Sequence, residues 1–116
     1  MYAEAMPIEK KQVEPGMAVV AVSGRLVLGR ELERLESVVT ELVGQAQKKI
    51  VLDVTALDYA DSSGVGVLVS CVTHVKKAGG ELRIAGANPR MQRLFQVTGV
   101  DKILLQYPTV AEAAAG

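Results

Sequence analysis

The chain has 116 residues, enough for one folding unit and too few for two, and 49% of them are apolar, so a sizeable core can be buried. Thirteen Lys and Arg balance thirteen Asp and Glu, which excludes the net basic face that nucleic acid or an anionic membrane requires. The single cysteine, Cys71, cannot form an internal disulfide, and its apolar helical setting predicts a buried, inert thiol rather than a nucleophile or metal ligand.

Residues 6–13 (MPIEKKQV) read as a weakly patterned edge strand, and Glu14-Pro15-Gly16 as a turn. Met17 to Ser23 is β-branched and apolar, a second strand that completes a hairpin. Gly24 to Gly29 (GRLVLG) reads as a connection. From Arg30 to Val43, Leu32, Leu35, Val38, Val39 and Leu42 recur at helical spacing, with Glu31, Arg34 and Glu41 outward and Gly44 as the stop. Lys49 to Val54 is a short continuous apolar run, the mark of a strand covered on both faces.

A helix is predicted from Ser62 to Lys77, ended by Ala78-Gly79-Gly80, and then a strand over Glu81–Ala85. Asn88 and Pro89 suit the N-cap and first position of the next helix, with Met91, Leu94, Phe95 and Val97 on its apolar side and Gly99 closing it. Ile103-Leu104-Leu105 reads as a last strand, and Pro108 and Thr109 open a helix, VAEAAA, too short to stand without docking. The order ββαβαβαβα predicts an α/β fold: a mixed β-sheet with flanking helices, parallel crossovers and an antiparallel edge. The pairs Lys10-Lys11, Lys48-Lys49 and Lys76-Lys77 read as solvated element ends. No signal-peptide core or membrane-length apolar run is visible, so a soluble cytoplasmic chain is expected, a monomer by default, with the last helix offering apolar surface for a weak dimer.

The stretch DYADSSGVGVLVS, residues 58–70, carries the chemistry. Its simplest reading is a helix cap, with Asp61 accepting from the N–H groups of Ser63 and Gly64, worth ~1 kcal/mol. Yet doubled serines followed by Gly64 and Gly66 are poor helix material and leave the first turn low and open. A hydrolase needs a base beside its serine, and the sole histidine, His74, stands roughly 18 Å further along the same helix. Gly64-x-Gly66 lacks the Lys-Ser/Thr of a nucleotide loop, and Asp61 would repel a phosphate. A modified serine fits better, because a hydroxyl on an open first turn is accessible to a kinase, and phosphorylation adds about −1.5 to −2 charge.

Y-A-D-S-S-G-V-G-V-L following K-I-V-L-D-V-T resembles the phosphorylation-site signature of the STAS domain, as in bacterial anti-sigma factor antagonists. The resemblance continues through G-G-E-L-R-I-A-G, N-P-R-M-Q-R-L-F-Q-V-T-G-V-D-K-I-L and T-V-A-E-A-A-A, roughly residues 7–114. It implies one STAS domain that binds an anti-sigma factor serine kinase, frees a sigma factor, and is switched off by phosphorylation of Ser62, which a serine phosphatase reverses. Asp61, Ser63, Gly64, Val65 and Arg25 would then shape the site and meet the partner. The chain would be substrate rather than enzyme and hold no cofactor, ATP and magnesium belonging to the kinase. One departure stands out: Gly24-Arg25-Leu26-Val27 places Val27 where the family often has an aspartate, leaving Arg25 to meet phospho-Ser62, an acidic partner or solvent. That departure keeps open an interaction subunit of a transporter or sensory scaffold without sigma control. A nucleotide-binding sensor is the remaining reading.

Overall fold

Alternation of apolar strands with amphipathic helices produces the expected architecture. The computed structural model describes residues 8–116, the side chain of Gln12 excepted. It contains β1 (Ile8–Glu14), β2 (Met17–Leu26), α1 (Arg30–Gly44), β3 (Lys49–Ala60), α2 (Ser62–Lys77), β4 (Glu81–Ala85), α3 (Pro89–Thr98), a 3-10 turn (Val100–Lys102), β5 (Leu105–Tyr107) and α4 (Val110–Ala115). Met6 and Pro7, the start of the predicted edge strand, lie outside the described residues.

The strands form one sheet in the order β1-β2-β3-β4-β5. β1 is antiparallel to β2, and the other neighbours are parallel. Successive crossovers of one hand place α1, α2 and α3 on the same face. There, Leu35 and Val39 of α1, Leu68 and Val75 of α2, and Met91 and Phe95 of α3 pack with Val20, Ile50, Leu52 and Ile84. The other face holds a smaller cluster of Val51, Ala85 and Ala113 beneath α4. Ile50, Val51 and Leu52 are therefore all fully buried, as a strand covered on both sides requires.

α4 is held by two cations that bind the carbonyls of its last turn. Arg83, itself buried, donates from Nη1 to the Ala113 carbonyl at 2.7 Å, pairs with Glu81 and lies over the Tyr107 ring. Lys49 donates from Nζ to the Ala114 carbonyl at 3.0 Å. Of the lysine pairs only Lys49 is partly buried; Lys48 Nζ bonds the Ala78 carbonyl and Lys10 pairs with Glu41 while both stay exposed. Ala113 spends the apolar side of α4 within its own chain.

The structure corrects several boundaries. Gly24, Arg25 and Leu26 continue β2 rather than forming a connection, and β3 runs six residues beyond Val54, to Ala60. α1 does end at Gly44, but the left-handed residue that follows is Ala46, at φ 62°. Val38 is half-buried, and Glu31 also is only partly exposed. The last strand lies later than predicted: Gly99 turns the chain at φ 79° into the 3-10 turn, Leu104 plugs the core, and Leu105–Tyr107 pairs with Arg83–Ala85. Val97 is 76% exposed and does not join the apolar side of α3. Two positions beyond Phe95 is about 200° around a helix, so that separation was readable from spacing. Among the described residues, no helix is long and apolar enough to cross a membrane.

Candidate functional site

The site grows from a break in sheet regularity. β2 and β3 are in unbroken register from Met17–Lys49 to Ala21–Asp53, then slip between Ala21 and Ser23 and again between Gly24 and Arg25. Gly24 supplies the positive φ, 86°, that a bulge of this kind demands. β4 pairs no further than Asp53, so the remainder of β2 and β3 projects as a two-stranded lip. Each slip re-aims the alternation, leaving Leu57 and Ala60 buried while Asp58 and Tyr59 face out. On the outer side, the Arg25 guanidinium stacks over the Tyr59 ring at 5.0 Å.

At the end of the lip Asp61 joins three elements. Its N–H donates to the Leu26 carbonyl at 3.2 Å. Carboxylate Oδ1 accepts from the Gly64 N–H at 2.9 Å, the expected cap of α2. Oδ2 accepts from the Leu28 N–H at 3.4 Å, where the Ser63 N–H was expected. The carboxylate is therefore engaged by backbone donors on both oxygens and ties the segment before α1 to the start of α2.

Gly64 explains the low first turn. A Cβ built on it would stand 2.2 Å from the Leu26 carbonyl oxygen, so the helix can approach β2 only with glycine there. The low first turn is thus filled by the protein's own strand. Gly66 has open space around it. Val65 is buried at 4% exposure and joins the main core, so it supports the site from beneath and cannot meet a partner directly, contrary to expectation. Ser63 is half-buried, and Ser62 is exposed at the first position of α2.

Ser62 stands on the rim of a cleft of about 490 Å³ between the lip, α2 and α3. Tyr59, Ala60 and Asp61 line one side with Ser62, and Arg90, Met91, Arg93, Leu94 and Val97 line the other. Leu28, whose N–H meets Asp61, is 78% exposed. Exposed Leu28 and Tyr59 near one serine were missed in the sequence, because each falls in a short stretch that reads equally well as loop or core, whereas the outward placement of Val97 was readable from its helical spacing. Arg90 and Arg93 of α3 edge this face.

His74 is exposed near the far end of α2 and cannot serve as a base for Ser62. Among the described residues, no group of His, Cys, Asp or Glu could hold a metal ion. Cys71 is buried in α2, and that burial, aided by Glu36, pushes its thiol up to about 12, the opposite of a reactive thiolate.

Comparison with known proteins places this geometry. The STAS domain model matches residues 10–113. The anti-sigma F factor antagonist of Paenibacillus polymyxa is 29% identical over 99 residues, covering 84% of each chain. A Bacillus subtilis (strain 168) protein with a provisional sulfate-transporter name is 29% identical over 97 residues, 84% of this chain but only 18% of its own length. In three dimensions the chain resembles the phosphorylated form of the Bacillus cell fate determinant SpoIIAA, with a TM-score of 0.73 at 22% identity, covering 94% of this chain and 97% of that one. With the family model spanning nearly the whole sheet and its helices, the chain belongs to the STAS domain family.

Proposed function

We propose that this chain is an anti-sigma factor antagonist, a binding regulator that holds an anti-sigma factor serine kinase and is released when Ser62 is phosphorylated. The observation that carries the reading is the exposed Ser62 hydroxyl on the rim of an apolar cleft, beside a carboxylate already committed to backbone donors. The kinase transfers the γ-phosphoryl group of ATP to Ser62 Oγ; the hydroxyl proton leaves to a base of the kinase and ADP departs. A serine phosphatase then hydrolyses the O–P bond. The modification adds about −1.5 to −2 charge at pH 7. Leu28, Tyr59, Leu94 and Val97 would have to desolvate that charge to remain docked, which opposes binding. The family resemblance and the antagonist named among its relatives support the same assignment.

The test is a pull-down with the unmodified chain, followed by ATP and intact-mass analysis. A kinase partner together with a gain of roughly 80 Da at Ser62, one phosphoryl group, is expected. Ser62→Ala should keep the partner and block the gain, Ser62→Asp should weaken binding, and Ser63→Ala should remain a substrate. Equal binding by the wild type, Ser62→Ala and Ser62→Asp would sink the switch.

A second reading is favoured by the transporter relative, in which the matched segment is a small part of a longer protein. Here the same face docks a transporter or scaffold subunit without sigma control, and Asp61–Gly64 is a rigid docking cap. Val27, in place of the acidic residue often found there, supports it. A transporter subunit in the pull-down, with mass unchanged by ATP, would establish this reading over the first.

A further inference from the structure

The cleft beside Ser62 carries more positive charge than its surroundings neutralise. Arg90 and Arg93 sit three apart on α3, neighbours on one flank of the helix, and both line the cleft that Ser62 lines. The ion pairs among the described residues are Lys10–Glu41 and Glu81–Arg83, so no described carboxylate holds either of these arginines. Asp61, the acidic group in the cleft, turns its oxygens to the N–H groups of Gly64 and Leu28 instead. Two exposed guanidinium groups therefore stand over an apolar floor that includes Met91 and Leu94. Guanidinium is a planar fork that matches the oxygens of a phosphoryl group. A volume of about 490 Å³ accommodates such a group together with both side chains.

We propose that Arg90 and Arg93 form a clasp for the phosphoryl group on Ser62, an inference that rests on the reading of Ser62 as the modified residue. The phosphorylated chain draws its new charge into its own cleft, and the arginine stems close over Leu94 and Val97. Release of the partner then comes from occlusion of the apolar face as well as from repulsion. Arg25, the cation singled out in the sequence, is stacked on Tyr59 on the lip and is not needed for the clasp.

The experiment uses the full chain with phosphoserine genetically encoded at position 62, so that no kinase is required, and follows the phosphate by 31P NMR against pH. The phosphate's second ionisation, ordinarily near pH 6, should be depressed by the clasp. Arg90→Gln/Arg93→Gln should raise it by about 1 unit relative to the phosphorylated wild type. Lys76→Gln/Lys77→Gln removes the same charge at the far end of α2, where salt screens it from Ser62, and should leave the midpoint unchanged. Equal midpoints in the arginine and lysine variants would overturn the clasp. Both arginines are exposed, so the variants should keep the amide spectrum of the sheet, and the single variants should give intermediate midpoints. Failure of any kinase to modify Ser62 would defeat the phosphorylation reading while leaving this titration readable.

Discussion

The two halves of the β2–β3 ladder do different work. From Met17 to Ala21 the register against β3 is unbroken, β4 extends the pairing on the far side, and Ile50, Val51 and Leu52 lie buried between two layers. From Ser23 to Leu26 the register slips, β4 is gone, and Arg25 and Tyr59 meet solvent. The first half is a platform whose stability comes from burial on both faces. The second is a short bulged arm that aims the start of α2 outward, with Leu26, Leu57 and Ala60 anchoring its inner side in the core and Arg25 and Tyr59 on its outer side. Ser62 is thereby exposed without loosening the platform.

That contrast can be broken most sharply at the joint between arm and helix. Gly64→Ala puts a methyl group 2.2 Å from the Leu26 carbonyl and should cost about 3 kcal/mol in chemical denaturation, because the obstacle is backbone and cannot turn aside. Asp61→Ala removes the cap and the tie to Leu28 together. A loss of about 1.5 kcal/mol is expected, and amide hydrogen exchange should rise at Leu28 and Gly64 while the platform strands stay protected.

Cys71 probes the buried layer. Its folded thiol is held up to about 12 from an ordinary 9.0, so the fold favours the protonated form. Its contribution is complete below pH 9 and is lost as pH rises through that window. By pH 10 the advantage of wild type over Cys71→Ala should have shrunk by about 1 kcal/mol relative to pH 7. Constancy of that difference would mean the thiol is not buried as described. The smallest effect is a gain: Gly66→Ala, two residues from Gly64 but in open space, should stabilise by about 0.5 kcal/mol. A cost at Gly66 like that at Gly64 would show that the helix start resists any added bulk, rather than Leu26 alone.

Much of this was readable locally. The 3.6-residue recurrence in α1, the Asn88-Pro89 start of α3, the bounds of α2 and β4, and the apolar run at Lys49 all specify their own structure, because each is an interaction between near neighbours. Ser62 and its aspartate cap were legible for the same reason. Past Val54 the strand was not legible, since the slips against β2 destroy the alternation that identifies a strand, and nothing near Thr55 records where Gly24 will bend. Arg83 looks like any polar strand residue until α4 arrives, thirty positions later, with a carbonyl for it to bind. Likewise Gly64 reads as weak helix material until Leu26 is placed against it, and the cleft itself exists only because α3 returns beside α2. The sequence by itself thus determined the elements and placed Ser62 at the start of a capped helix, whereas tertiary structure decided what surrounds that serine: Asp61 meets Leu28 across 33 positions, a distance over which side-chain periodicity carries no information.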